Sequence, residues 1–172
     1  VSFSGELGYE INVPARDGAA LWAELMKAGV DFGVTPYGIE TVLLLRLEKG
    51  YLHVGADTDG TTTPDDVGWG EVAAKRKGDF IGRRSLARTD NRREDRLQLV
   101  GLTDANGDAL VAGAHLRLPG TTAGSDGWVT SASHSPALGK VIALALLRGG
   151  RARMGQRVAV HDIDRRCEAL VV

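Results

Sequence analysis

From Leu97 to the last residue the chain breaks into short apolar runs at 97–102, 109–112, 115–118, 128–131, 141–147, 157–160 and 168–172. Asn106-Gly107, Pro119-Gly120, Asp126-Gly127 and Gly149-Gly150 punctuate them. Segments this short cannot carry an amphipathic helix face, and glycine-containing pairs supply the backbone angles that tight turns need. Regularly spaced short strands of this kind close on themselves as a small barrel or a sandwich. This half of the chain is therefore predicted to be all-β.

The preceding half follows a different pattern. Tyr9-Glu10-Ile11-Asn12-Val13 alternates before Pro14, which predicts a strand with odd positions facing the core and Glu10 and Asn12 on the other side. Asp17 is positioned to cap a helix bearing Leu21, Trp22, Leu25 and Met26, stopped by Gly29. Thr35-Pro36 signals a second helix start, and that helix is expected to run to Gly50. Its centre, Val42-Leu43-Leu44-Leu45, is apolar all round, yet Arg46 follows at once. A guanidinium drawn inward needs a partner, and Glu48 lies two residues on, facing elsewhere, so another segment must provide it.

Residues 52 to 68 are rich in Gly, Thr, Asp and Pro and read as an irregular loop, followed by a short helix at 81–87. The charged stretch 89–95 is the best linker. The expected architecture is α+β, a mixed segment of about 90 residues followed by an all-β domain of about 80.

Composition narrows the function. The 172 residues are 43% hydrophobic with a formal net charge of -1, which fits a folded chain and gives no long-range attraction to nucleic acid or acidic lipid. Cys167 alone cannot build a disulfide framework or a cysteine-rich zinc site, and His53, His115, His134 and His161 lack metal-ligand spacing. No apolar run is long enough for a membrane span and no secretory signal pattern opens the chain, so a cytoplasmic protein is expected. The start at Val1-Ser2-Phe3 and the end inside an apolar run suggest a piece excised from a larger protein.

Three constellations carry possible chemistry. Ser131-Ala132-Ser133-His134-Ser135-Pro136 sets hydroxyls beside an imidazole without a third orienting group, and is expected to be a turn whose hydroxyls bond backbone. Lys75 to Arg96 holds nine basic and four acidic residues, a local balance of +5, which reads as a solvated or subunit-contacting face. Gly5-Glu6-Leu7-Gly8-Tyr9-Glu10 predicts a hairpin tip that presents Glu6 and Glu10 beside Phe3 and Tyr9. A carboxylate flanked by aromatic rings suits a flat, nitrogen-rich heterocycle, since two oxygens accept two parallel N–H bonds while rings pack on its plane.

The ordered stretches F-S-G-E-L-G-Y-E-I, L-R-L-E-K-G-Y, D-F-I-G-R-R-S-L and S-P-A-L-G-K-V-I-A-L-A-L resemble the folate-binding aminomethyltransferase family, typified by the T-protein of the glycine cleavage system. The stretches at 35–41, 55–66 and 149–155 resemble its branch found in the alpha subunits of heterotetrameric sarcosine oxidases. The resemblance implies that residues 1–88 are the later half of a tetrahydrofolate-binding domain, an antiparallel sheet with helices, and that residues 89–172 are the family's C-terminal β-barrel. It implies that Glu10 binds the pterin edge, that Arg46 lines the same pocket and either neutralises and orients that carboxylate or binds the ligand, and that Phe3 and Tyr9 pack on the ring. Glu6 is a weaker candidate. Phe3 stands where transferring relatives often have tyrosine, which removes a hydroxyl contact.

The implied activity is demethylation of sarcosine to glycine, with the one-carbon unit passed to tetrahydrofolate as 5,10-methylenetetrahydrofolate. FAD, FMN and NAD are implied only in other parts of the complex, and the catalytic aspartate in an upstream segment, so the fragment alone is expected to be inactive. Two other readings stand beside this one: a subunit-docking module, and an aminomethyltransferase acting on a lipoyl carrier protein.

Overall fold

The computed structural model describes residues 2–76, 78–105, 107 and 110–172. Six strands, β1 (Leu97–Asp104), β2 (His115–Arg117), β3 (Gly127–Ser135), β4 (Lys140–Arg148), β5 (Arg157–His161) and β6 (Arg166–Val171), form a closed barrel. Its order is β1-β4-β3-β2-β5-β6 and every pairing is antiparallel. Closure comes from β1 against β6, with Leu102 opposite Val171. The run expected at 109–112 contributes no strand over Leu110–Ala112, and Ala109 lies outside the described residues.

Alternation fills the barrel. Leu102, Leu116, Val129, Leu147, Val158 and Val171 are almost wholly buried in one core cluster with Ala143, Ala145 and Ala169. Each leucine so buried contributes about 1.5–3 kcal/mol relative to exposure. The β4 run is buried on both faces, because Leu144 and Leu146 are covered outside that cluster. Gly127 lets β3 enter the barrel, since a Cβ there would sit 2.0 Å from the Leu146 carbonyl oxygen.

Among the described residues, four α-helices precede the barrel: α1 (Gly18–Ala28), α2 (Ile39–Glu48), α3 (Gly70–Ala74) and α4 (Arg83–Leu86). The first ends at Gly29 as expected, although Asp17 makes no side-chain cap. The second starts after extended Gly38 rather than at Thr35-Pro36, and it ends at Glu48. It packs across β3 and β4 and carries the buried Arg46 and Leu47. The expected 81–87 helix contracts to α4, and α3 is a turn the sequence pattern did not signal.

The expected strand at Tyr9–Val13 does not form. A strand needs a neighbour for its N–H and C=O groups, and no described segment pairs with this one. Its odd positions Tyr9, Ile11 and Val13 are exposed rather than core-facing. Among the described residues, no helix is long and apolar enough to cross a membrane.

Candidate functional site

The polar centre of the molecule forms where α2 meets the barrel. Arg46, 4% exposed, donates from Nη1 to Asp57 Oδ2 at 2.5 Å and to the Tyr51 carbonyl at 3.1 Å, and from Nη2 to Ser131 Oγ at 2.6 Å. Asp57, with no exposed surface, also accepts from His53 N at 2.7 Å, from Ser131 Oγ at 2.8 Å and from Thr130 Oγ1. Adjacent strand residues normally point to opposite faces, but the ladder with β4 shifts register between Val129 and Ser131. That irregularity brings two consecutive hydroxyls to one carboxylate.

Arg46 thus finds its partner on another segment, and of the two kinds expected, a carboxylate or a ligand, it is a carboxylate. The carboxylate is Asp57, in the irregular loop over 52–68, and not Glu10. Both terminal nitrogens of Arg46 are taken by this network, so the expected neutralisation of Glu10 does not occur. The Arg46 Nε is buried without a hydrogen-bond partner among the described residues.

The 131–136 stretch also differs from its expected turn. Ser131 to Ser135 lie in β3, and Ser135 Oγ donates to Glu48 Oε1 at 2.5 Å while accepting from Leu138 N at 3.0 Å. Two hydroxyls of one strand therefore hold the last turn of α2. A third clasp lies nearby. Arg96 donates from Nε to Asp66 Oδ1 at 2.9 Å, and from Nη2 to Asp66 Oδ2 at 2.8 Å and the Thr61 carbonyl at 2.7 Å. Burial pushes the Asp66 carboxyl up, but Arg96 and the Thr63 hydroxyl and amide outweigh it and hold it below the usual carboxylate range.

On the open side of this framework sit the remaining sequence candidates. Gly5, at φ +85°, brings the N-terminal turn against the Lys49 side chain, and Glu6 pairs with Lys49 Nζ at 3.0 Å, half in solvent. Phe3 stands edge-on to His53, ring centroids 5.8 Å apart at 81°, beside a recess of about 440 Å³ also lined by Tyr51 and Trp69. Tyr9 is 83% exposed, and Glu10 is exposed with no ion pair or side-chain hydrogen bond among the described residues. The structure therefore brings Phe3 and Glu6 to the C-terminal end of α2, leaves Tyr9 and Glu10 on an open face, and withdraws Arg46 into the interior. Sequence reading missed Asp57, Ser131 and Thr130. The one usable signal was the unpaired helix arginine. Among the described residues, no group of His, Cys, Asp or Glu is arranged to hold a metal ion.

A helical segment clasped through buried polar pairs to a closed six-stranded antiparallel barrel defines a two-part architecture. The family described as the GCVT N-terminal domain matches residues 1–77, and the glycine cleavage T-protein C-terminal barrel domain matches residues 98–172. The chain belongs to the glycine cleavage T-protein family.

It is 48% identical over 163 residues to the sarcosine oxidase subunit alpha of Corynebacterium sp. (strain P-1), covering 91% of this chain and 17% of that protein. It is 42% identical to the corresponding subunit of Rhizobium meliloti (strain 1021), covering 93% of this chain and 16% of that protein. It is 39% identical to the aminomethyltransferase of Thermosynechococcus vestitus, covering 99% of this chain and 44% of that protein. The chain thus spans about a sixth of the sarcosine oxidase subunits. The glycine cleavage system aminomethyltransferase T from Bartonella henselae shares the fold, with a TM-score of 0.72 at 24% identity over 89% of this chain and 42% of that one.

Proposed function

We propose that this chain is part of a sarcosine oxidase alpha subunit, in which it helps hold tetrahydrofolate as acceptor of the one-carbon unit released when sarcosine is demethylated to glycine. The 48% identity to that subunit across nearly the whole chain supports this assignment over a free-standing aminomethyltransferase, for which the identity quoted above is 39%. The observation that carries the folate part is the Glu10 carboxylate beside Tyr9 in sequence, unengaged among the described residues, since Glu6, Arg46 and Glu48 already have partners.

An unpaired carboxylate next to an exposed phenol suits a pterin, because its two oxygens accept two parallel N–H bonds and the ring packs on the heterocycle. When bound, tetrahydrofolate supplies the nitrogen nucleophiles that take up the one-carbon unit as 5,10-methylenetetrahydrofolate. Glu10 fixes the plane and register of the pterin. Tyr9 and Phe3 limit its tilt, and Glu6 stays with Lys49 at the rim. Arg46 serves this site from behind as a positioning residue, holding α2 to the barrel. Holding the amine close to its electrophile is the contribution such residues make to the rate.

In this reading residues 1–88 are the later half of the folate domain and 89–172 its barrel, in a cytoplasmic heterotetramer. FAD, FMN and NAD belong to other parts of the complex, as does the catalytic aspartate, so the isolated chain is inactive. Hydrogen exchange of the full-length subunit with and without a folate analogue tests the proposal. Protection of residues 2–13 on folate addition is expected, and unchanged exchange there would refute it.

A further inference from the structure

The basic segment builds a groove that the proposed folate chemistry does not use. Between α3 and α4 lies an open trough of about 650 Å³ whose rim carries Arg76, Arg83 and Arg92, all exposed, and whose floor includes the half-buried Phe80 and Leu86. Two carboxylates also line it, but both are neutralised by cations outside the lining. Asp65 pairs with Arg151 at 3.1 Å and Glu71 with Lys75 at 3.1 Å. Among the described residues, none of the three rim arginines has a carboxylate partner. Arg76 is held over the Phe80 ring at 5.9 Å, and Arg83 donates to the Gly78 carbonyl at 2.8 Å, so two of the rim guanidiniums are already positioned. The groove is therefore electropositive at its rim, apolar at its floor, and partly preorganised.

We propose that this groove is a docking site for an acidic segment of a partner polypeptide, with carboxylates on Arg76, Arg83 and Arg92 and an apolar side chain against Phe80 and Leu86. Guanidinium forks match carboxylates two bonds at a time, and arginine with aromatic residues is enriched at protein interfaces. A single small anion would leave the apolar floor in water. Nucleic acid fits less well, because Phe80 is the only aromatic side chain in the lining and it already lies under Arg76. The net charge of -1 supplies no general attraction to polyanions. That the partner is another subunit of the same assembly rests on the function proposed above.

The test co-expresses the full-length subunit with the other subunits of its assembly, as wild type and as Arg76→Glu/Arg83→Glu/Arg92→Glu. Association of the triple variant is expected to weaken at least about tenfold and to lose most of its salt dependence. Amides of residues 71–76 and 78–92 are expected to be protected in the wild-type complex. The three side chains are exposed, so thermal unfolding should be unchanged. If the triple variant does not fold, an Arg→Gln triple variant and the wild-type exchange footprint decide instead.

Equal association of wild type and variant, an unprotected groove in the complex, or tighter binding of an oligonucleotide probe than of the partner subunits would each overturn the proposal. Failure of the wild type to assemble at all would overturn both this proposal and the subunit assignment. Assembly through the groove without folate binding would overturn the folate reading alone.

Discussion

Replacing Asp57 by alanine removes a carboxylate that accepts from Arg46, His53, Ser131 and Thr130 and has no exposed surface. The two oxygens of a carboxylate offer about four acceptor positions, and here donors meet all of them. After the substitution Arg46 keeps the Tyr51 carbonyl and the Ser131 hydroxyl, but its charge is uncompensated at 4% exposure and its Nε was already without a partner. Breaking a buried pair by removing one member costs about 3–5 kcal/mol. For a region of this size that lowers the midpoint by roughly 10 °C.

The measurement is urea unfolding of the full-length subunit, read by hydrogen exchange in peptides from α2 and β3. The double replacement Arg46→Met/Asp57→Leu removes both charges and should be less destabilised than Asp57→Ala alone, since no orphaned charge remains. A loss below about 1 kcal/mol for Asp57→Ala, or a double variant worse than the single, would refute the reasoning.

Other changes separate the barrel from its clasps. Leu147→Ala, at a wholly buried core position, should cost about 2–5 kcal/mol in the same unfolding experiment. Ser135→Ala deletes the hydroxyl that links Glu48 to the Leu138 amide, and faster exchange in the last turn of α2 with a loss of about 1–3 kcal/mol is expected. Because the folded Asp66 carboxyl lies below its usual value of 3.8, its contribution is complete above that value and is lost as pH falls through the lower folded value. An acid titration of stability should show this loss below about pH 4, and Arg96→Met should diminish it.

The barrel was legible because its cues are local. Turn pairs and short apolar runs mark all six strands among the seven expected runs, while the closing pair Leu102–Val171 joins the first strand to the last and is set by tertiary packing. The sequence also showed that Arg46 needs a partner, since an arginine after an all-apolar helical run cannot remain unpaired. It could not show which partner, because Asp57 and Ser131 stand 11 and 85 residues away and meet only through tertiary packing. Asp57 sits in a Gly- and Thr-rich loop with the composition of solvated turns. The hydroxyl-rich stretch 131–136 reads as a turn, yet it continues β3 to Ser135 and a strand irregularity turns Ser131 inward. Tyr9–Val13 alternates like a strand, but alternation specifies only which faces such a segment would present, and the ladder partner that would complete it is not among the described residues.

Titration of a reduced folate analogue into the complete subunit, as wild type and as Glu10→Ala, tests most directly whether this open-face carboxylate grips the vitamin. Saturable binding by the wild type and a loss of about 2 kcal/mol, near thirtyfold, on substitution is the predicted result. Equal affinities for the two proteins, each folded, would contradict it.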